Sequence, residues 1–175
     1  VIDPKMLDSE QHCQWLEMLN DSKQLTDKQR EYLRPLIEQH AAAWAVVEVT
    51  AEEIDQINIL NATYKCFNLA VSGLSIKPDI ALIDGNRCGE MPVPYETVVK
   101  GDAKSMSIAA ASILAKVSRD RFMLEIDKEY PEYQFSKHKG YGTKLHYEMI
   151  EKYGVSKLSM SLNPIIWAEP IAIVE

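Results

Sequence analysis

The chain has 175 residues, 46% of them hydrophobic, and a formal net charge of −7; that is apolar material for one core and cramped for two, so a single domain over residues 1–175 is expected. Its longest apolar stretches, such as SIAAASILA, fall far short of the roughly 20 residues that cross a bilayer, and no signal-peptide pattern opens it, so no membrane partner is expected. Cys13, Cys66 and Cys88 are widely spaced and form no C-x-x-C pair, which argues against a disulfide framework or structural zinc and fits a reducing, cytoplasmic setting.

In chain order, the segment DSEQHCQWLEML reads as helical, with Trp15, Leu16 and Leu19 packing it onto the core. Thr26 with Gln29 makes a capping box for a helix to about residue 40, which Pro35 should bend or interrupt. AWAVVEV reads as a strand. Thr50 with Glu53 is a second capping box, for a helix with Ile54, Ile57, Asn61, Tyr64 and Val71 near one face and Gly73 as its stop. DIALID, residues 79–84, is almost wholly apolar and ends at Gly85, the pattern of a strand buried on both faces of a parallel or mixed sheet. Two prolines exclude a helix in GNRCGEMPVP, and the strand YETVVK follows. A long helix from about Ala103 to Glu129, a basic loop and a final helix from about Thr143 to Tyr153 complete an alternation that predicts an α/β layered domain.

Two acids stand out. Asp84 is the last residue of DIALID, and ligands of open α/β sheets collect just outside the carboxyl ends of strands. The plainer reading is that Asp84, Gly85 and Asn86 only make a turn. Asp120 falls on the stripe that about 100° per residue draws through Met106, Ala109, Ala110, Ile113, Val117 and Leu124. A buried carboxylate must be protonated, paired with a cation or bound to metal, and Arg119 and Arg121 point away from the stripe. The plainer reading is a helix rim where Asp120 meets water.

An acidic chain is an unexpected partner for nucleic acid, but binding depends on where positive charge lies. SKHKGYGTK sets Lys137, Lys139 and Lys144 around Gly140, Tyr141 and Gly142, with His138 between the first two lysines. Lysines neutralise phosphates, glycines admit close backbone approach, and a tyrosine can stack on a sugar or base. A solvated turn before a helix accounts for the same residues more simply.

The blocks LNDSKQLT, AWAV, EEIDQINILNAT, IDGNR, VVKGDAK, IAAASILAKVSRDR and KHKGYGT, in this order over roughly residues 19–154, resemble bacterial ribonuclease HII. The resemblance implies a ribonuclease H-like fold: a mixed central sheet flanked by helices, with a helical C-terminal part. It implies endonucleolytic hydrolysis of the RNA strand of RNA/DNA hybrids and cutting at single ribonucleotides in duplex DNA, by a monomer using two Mg²⁺ or Mn²⁺ ions held by four acids. Asp84 and Asp120 match two of those acids. Hard oxygen donors suit these ions, and two metals about 4 Å apart can activate water and stabilise the leaving oxygen. Tyr141 matches the tyrosine that contacts the sugar beside the ribonucleotide. Ser22 and Lys23, just before a helix start, suit a phosphate, while Lys104 and Lys139 suit backbone contacts that position the duplex.

The chain departs from the family pattern at both ends. The family's first strand carries an Asp-Glu pair followed by Gly-Arg-Gly, and the 175 residues contain no such segment. The expectation is therefore an N-terminally truncated domain with a raw sheet edge and half its metal site, inactive by itself. Asp3, Asp79 and Asp102 are other acids in view, but none forms the adjacent pair. The tail KLSMSLNPIIWAEPIAIVE is apolar and acidic where the family is basic; divergence, a frameshift and a short edge strand in IAIVE are the readings left open. A non-catalytic nucleic-acid-binding remnant is the alternative function, and the related ribonuclease HIII is disfavoured because its pattern has Glu where this chain has Asp120.

Overall fold

The computed structural model describes residues 14–19 and 24–154, together with the backbone of 165–167 and 171–174. In chain order the described elements are α1 (Gln14–Glu17), α2 (Asp27–His40), β1 (Glu48–Thr50), α3 (Ala51–Ser72), β2 (Ile80–Asp84), β3 (Tyr95–Val98), α4 (Met106–Glu129), α5 (Phe135–His138), α6 (Lys144–Tyr153), β4 (Ile165–Trp167) and β5 (Ile171–Val174). Single 3₁₀ turns at Gly101–Ala103 and Pro131–Tyr133 bracket α4.

Of the two capping boxes read from the sequence, the one at Thr26 forms in full. Thr26 Oγ1 accepts the Gln29 amide while Gln29 Oε1 accepts the Thr26 amide, closing the box that starts α2. Thr50 caps α3 by accepting the Glu53 amide, but the return bond of the expected box is not made, and the Glu53 carboxylate pairs with Lys65 instead. Ser105 and Thr143 cap α4 and α6 through the amide three residues on. α2 runs through Pro35 to His40, so the expected interruption does not occur; the proline ring sits on the exposed side of the helix. The strand expected over AWAVVEV shrinks to Glu48–Thr50.

β2 is the centre of a mixed sheet of order β3-β2-β5, parallel to β3 and antiparallel to β5. A strand therefore flanks it on each side, with IAIV of the tail forming one of them. β1 pairs antiparallel with β4 in a second, two-stranded sheet. Ala81 and Ile83 are fully buried against Phe67, Ala70 and Val71 of α3, whereas Ile80, Leu82 and Asp84 on the other face are half-buried. Burial on both faces was expected, and it is complete on one.

The largest core lies between α2 and α4, where Leu33 and Ile37 meet Ala109, Ala110, Ile113, Leu114 and Val117. Trp15, Leu16 and Leu19 join it as the sequence predicts. The alanines let the two helices approach closely. Of the predicted α4 stripe, Ala109, Ala110, Ile113 and Val117 are buried, but Met106 and Leu124 are exposed; Ile108 and Met123 lie inside instead. A further cluster of Met123, Tyr133 and Phe135 anchors the C-terminal helices to the far end of α4.

α3 carries an irregularity that periodicity conceals. Asn58 has φ 64 and ψ 163, which splits the element in two, and its Oδ1 caps the second half by accepting the Asn61 amide at 3.1 Å. The break resets the helical phase, so Asn61 is exposed while Ala62, Cys66, Phe67 and Ala70 take the core face.

Candidate active site and nucleic-acid interface

Asp84 occupies the carboxyl end of β2, where the chain turns away at Gly85, whose φ of 139 lies in the left-handed half of the map. Its Oδ1 accepts the Gly101 amide at 2.7 Å. That amide is aimed by a sharp turn in which Lys100 adopts φ 57. A Cβ at Gly101 would stand 2.5 Å from Ile108 Cδ1 and 3.4 Å from Asp84 Oδ1, so any larger residue there must displace the Ile108 side chain. One carboxylate oxygen is thus fixed by backbone, and Asp102 is the next residue along. Just past Asp84 a cleft of about 270 Å³ is walled by Tyr64, Phe67, Asn86 and Arg87.

Asp120 has a different setting. Of the three states open to a buried carboxylate, pairing with cations is the one observed: Oδ1 lies 2.5 Å from Lys116 Nζ, and Oδ2 lies 3.8 Å from Arg30 Nη2 of α2. Its side chain is 15% exposed, and those of Lys116 and Arg30 are 21% and 8% exposed. Arg30 also binds Asp27 and the Leu25 carbonyl. Arg34 with Ser118 and Glu31 with Arg121 continue this polar strip along the α2–α4 seam. Arg119 reaches the Lys139 carbonyl and Arg121 pairs with Glu31. Lys116 was missed, although its spacing of four residues was the available signal.

The structure does not bring Asp84 and Asp120 to one metal. The turn that holds Asp84 packs on Ile108 in the first helical turn of α4, and Asp120 lies twelve residues further on, about 18 Å along the axis at the usual rise. Carboxylates sharing an ion must lie within a few ångströms of each other. Among the described residues, no group of three or more His, Cys, Asp or Glu side chains is placed to hold a metal.

The basic loop is more ordered by contacts than its composition suggests. Residues 135–138 form the short helix α5, and Lys139 follows in the left-handed conformation with φ 51. Tyr141 is 46% exposed, with the Arg119 guanidinium 4.5 Å and Lys116 Nζ 5.4 Å from its ring centre. Arg119 Nη2 also donates to the Lys139 carbonyl at 3.3 Å. Beneath the loop, the buried His138 and His146 rings stack at 4.6 Å. His138 Nε2–H donates to the Tyr133 carbonyl at 2.9 Å and Nδ1 accepts the Gly140 amide at 3.2 Å, a pairing that requires the neutral ring. His146 Nδ1–H donates to the Tyr141 carbonyl at 3.0 Å. Burial pushes the His138 imidazole below its ordinary range; the Tyr133 carbonyl opposes that shift and His146 reinforces it.

Lys139 is half-buried and contributes its backbone to this arrangement, while Lys104 is exposed at the end of the 3₁₀ turn beside Asp84. Ser22 and Lys23 lie outside the described residues. No helix among the described residues is long and apolar enough to cross a membrane.

The family model for ribonuclease HII matches residues 6–168. Ribonuclease HII of Vibrio parahaemolyticus is 52% identical over 151 residues, covering 86% of this chain and 72% of that protein. Ribonuclease HII of Vibrio vulnificus is 54% identical over 140 residues, 80% of this chain and 68% of that protein. Among solved structures, the ribonuclease H2 from Pyrococcus horikoshii superposes with a TM-score of 0.62 over 86% of this chain and 87% of that one, at 24% identity, a likeness that establishes the ribonuclease H-like fold. A family match over nearly the whole chain, relatives above half identity and a shared fold agree: this chain belongs to the ribonuclease HII family, and is by family a type 2 ribonuclease H, a hydrolase.

Proposed function

We propose that the chain's site serves metal-dependent endonucleolytic hydrolysis of the RNA strand in RNA/DNA hybrids and at single ribonucleotides in duplex DNA. The observation that carries this reading is Asp84: a carboxylate at the mouth of a central strand, with one oxygen pinned by the Gly101 amide at 2.7 Å. Its other oxygen has no hydrogen bond among the described residues. Mg²⁺ is commonly held by one or two carboxylates, with waters and substrate phosphates filling the rest. Asp84, with Asp102 next in sequence to the Gly101 that holds it, suits one such Mg²⁺ or Mn²⁺ ion in this reading. The bound metal supplies a Lewis acid for the phosphodiester and a more acidic water.

The chain's own residues do the rest. Gly101 orients Asp84, and Tyr141 offers an exposed ring to the sugar beside the ribonucleotide. Lys104 and Lys139, with Ser22 and Lys23 ahead of the α2 start, contact the backbone of the duplex. Asp120, which the resemblance implied as a second metal acid, is left to its ion pairs, and Asp102 takes that place in this reading. Two carboxylates among the described residues are too few for two ions, and the chain by itself is expected to cut poorly or not at all. Cys66 and Cys88 are not joined in disulfides, which accords with a reducing, cytoplasmic setting, where it acts as a monomer.

The test is cleavage of a DNA duplex carrying one ribonucleotide, in Mg²⁺ or Mn²⁺, by the chain and by the chain extended with a family-like N-terminal strand pair bearing adjacent Asp and Glu. Cutting by the extended form, abolished by Asp84→Asn, supports the proposal. If both are folded and neither cuts, a non-catalytic duplex-binding role takes its place. That second reading is favoured by the lack of a three-acid cluster among the described residues, and it predicts strongly salt-dependent binding that needs no metal.

A further inference from the structure

We propose that Asp120 is a positioning residue for Tyr141, acting through Lys116; this deepens the nuclease reading above and rests on it. The ammonium of Lys116 stands between the two, 2.5 Å from Asp120 Oδ1 and 5.4 Å from the centre of the Tyr141 ring. Arg119, one helical turn from Lys116, brings its guanidinium to 4.5 Å from the same ring and donates to the Lys139 carbonyl at 3.3 Å. The exposed ring is thereby referenced to α4, the longest helix of the fold, through two cations and one backbone carbonyl.

Helix stability does not explain the Lys116–Asp120 pair. A lysine four residues ahead of an acid is the less favourable order on a helix. The pair is also largely shielded from water, and Arg30 reaches Asp120 from α2 on the other side. A lone lysine has a flexible four-carbon stem and a strongly hydrated head, so without an anchor it would leave the ring for solvent. Asp120 supplies the anchor, and Arg30 holds the anchor against the core. The ring is then in place before the duplex arrives, and no ordering cost falls on binding. This accounts for a carboxylate on an otherwise apolar stripe without giving it to a metal.

The experiment compares the wild-type chain with Asp120→Asn, Lys116→Met, Tyr141→Leu and Asp120→Asn/Tyr141→Leu. Ring resonances of Tyr141, assigned by Tyr141→Phe, are followed by NMR in the free protein. Binding of a fluorescent DNA duplex with one ribonucleotide is followed by anisotropy in Ca²⁺, and Mn²⁺ binding by calorimetry. Asp120→Asn and Lys116→Met should each move the ring resonances, and Asp120→Asn should weaken duplex binding roughly 2- to 5-fold, the weight of one exposed cation–π contact. In the Tyr141→Leu background Asp120→Asn should have no further effect, and its Mn²⁺ affinity should match the wild type. Unmoved ring resonances, an additive double variant, or a loss of Mn²⁺ equal to that of Asp84→Asn overturns the proposal. Should Asp120→Asn unfold because the Arg30 contact across the α2–α4 seam is weakened, Lys116→Met decides the matter, since it leaves that pair intact. A wild-type chain that binds no duplex overturns the nuclease reading, while the ring resonances still settle the relay independently.

Discussion

Gly101→Ala tests how Asp84 is held. The new Cβ would stand 2.5 Å from Ile108 Cδ1, about 1 Å inside a normal carbon contact. Ile108 is fully buried, so its terminal methyl would have to shift within the packed core. Overpacking of this sort costs about 1–3 kcal/mol. Gly101 lies outside the left-handed region, so alanine adopts its backbone without strain and recovers about 0.4–1 kcal/mol from the unfolded chain. The net expectation is a loss on the order of 1–2 kcal/mol, with weakened Mn²⁺ binding as Asp84 is displaced. Ile108→Val removes the offending methyl and alone costs about 0.5–1.5 kcal/mol. The double variant should then be more stable than the sum of the singles predicts, by about 1 kcal/mol or more. Urea unfolding of the four proteins measures this, read as midpoint shifts at constant slope. Additivity within about 0.5 kcal/mol would refute the contact as the reason for glycine.

Three further outcomes follow from the same structure. Asn58→Gly should stabilise the chain by on the order of 1 kcal/mol: a glycine-only conformation costs about 1–3 kcal/mol, against a few tenths for the lost cap and about 0.5–1 for glycine's entropy. A drop in the urea midpoint would show that the break in α3 carries no strain. Ile113→Ala, in the fully buried seam of α2 and α4, should cost about 2–5 kcal/mol, and a loss below about 1 kcal/mol in the same titration would contradict the placement of the main core. His138 is depressed by burial and sits against His146, with Asp127 nearby. The unfolded chain therefore binds its proton first, so stability from the neutral ring is present above about pH 6.5 and lost as pH falls from there through the lowered value. A His138→Gln variant should have a flatter stability profile over that window, and an unchanged slope would count against the stacked pair as its source.

Local signals were strong enough to be read from the chain itself. The capping residues Thr26 and Thr50 accept amides three residues away, a distance within one turn, so neighbours in sequence determine them; the cap at Ser105, which starts α4 at Met106 rather than at about Ala103, went unread. The run DIALID and its terminal Asp84 were legible because burial of a strand writes itself as continuous apolarity. The ordered blocks around them identified the family, and with it the fold. What the chain could not announce depended on partners far along it. Asp120 could be recognised as an acid out of place, but its state was decided by Arg30, ninety residues earlier, and by a seam that exists only once α2 lies on α4. The amide that holds Asp84 comes from Gly101 across a sheet end, and the rings beneath Tyr141 come from two helices. The phase break at Asn58 moved the buried face of α3 away from the periodic one, because packing against β2 outweighs helical regularity. Sequence fixes what bonds within a turn or a strand; electrostatics and close packing between distant segments have no one-dimensional trace, and only folding brings them into contact.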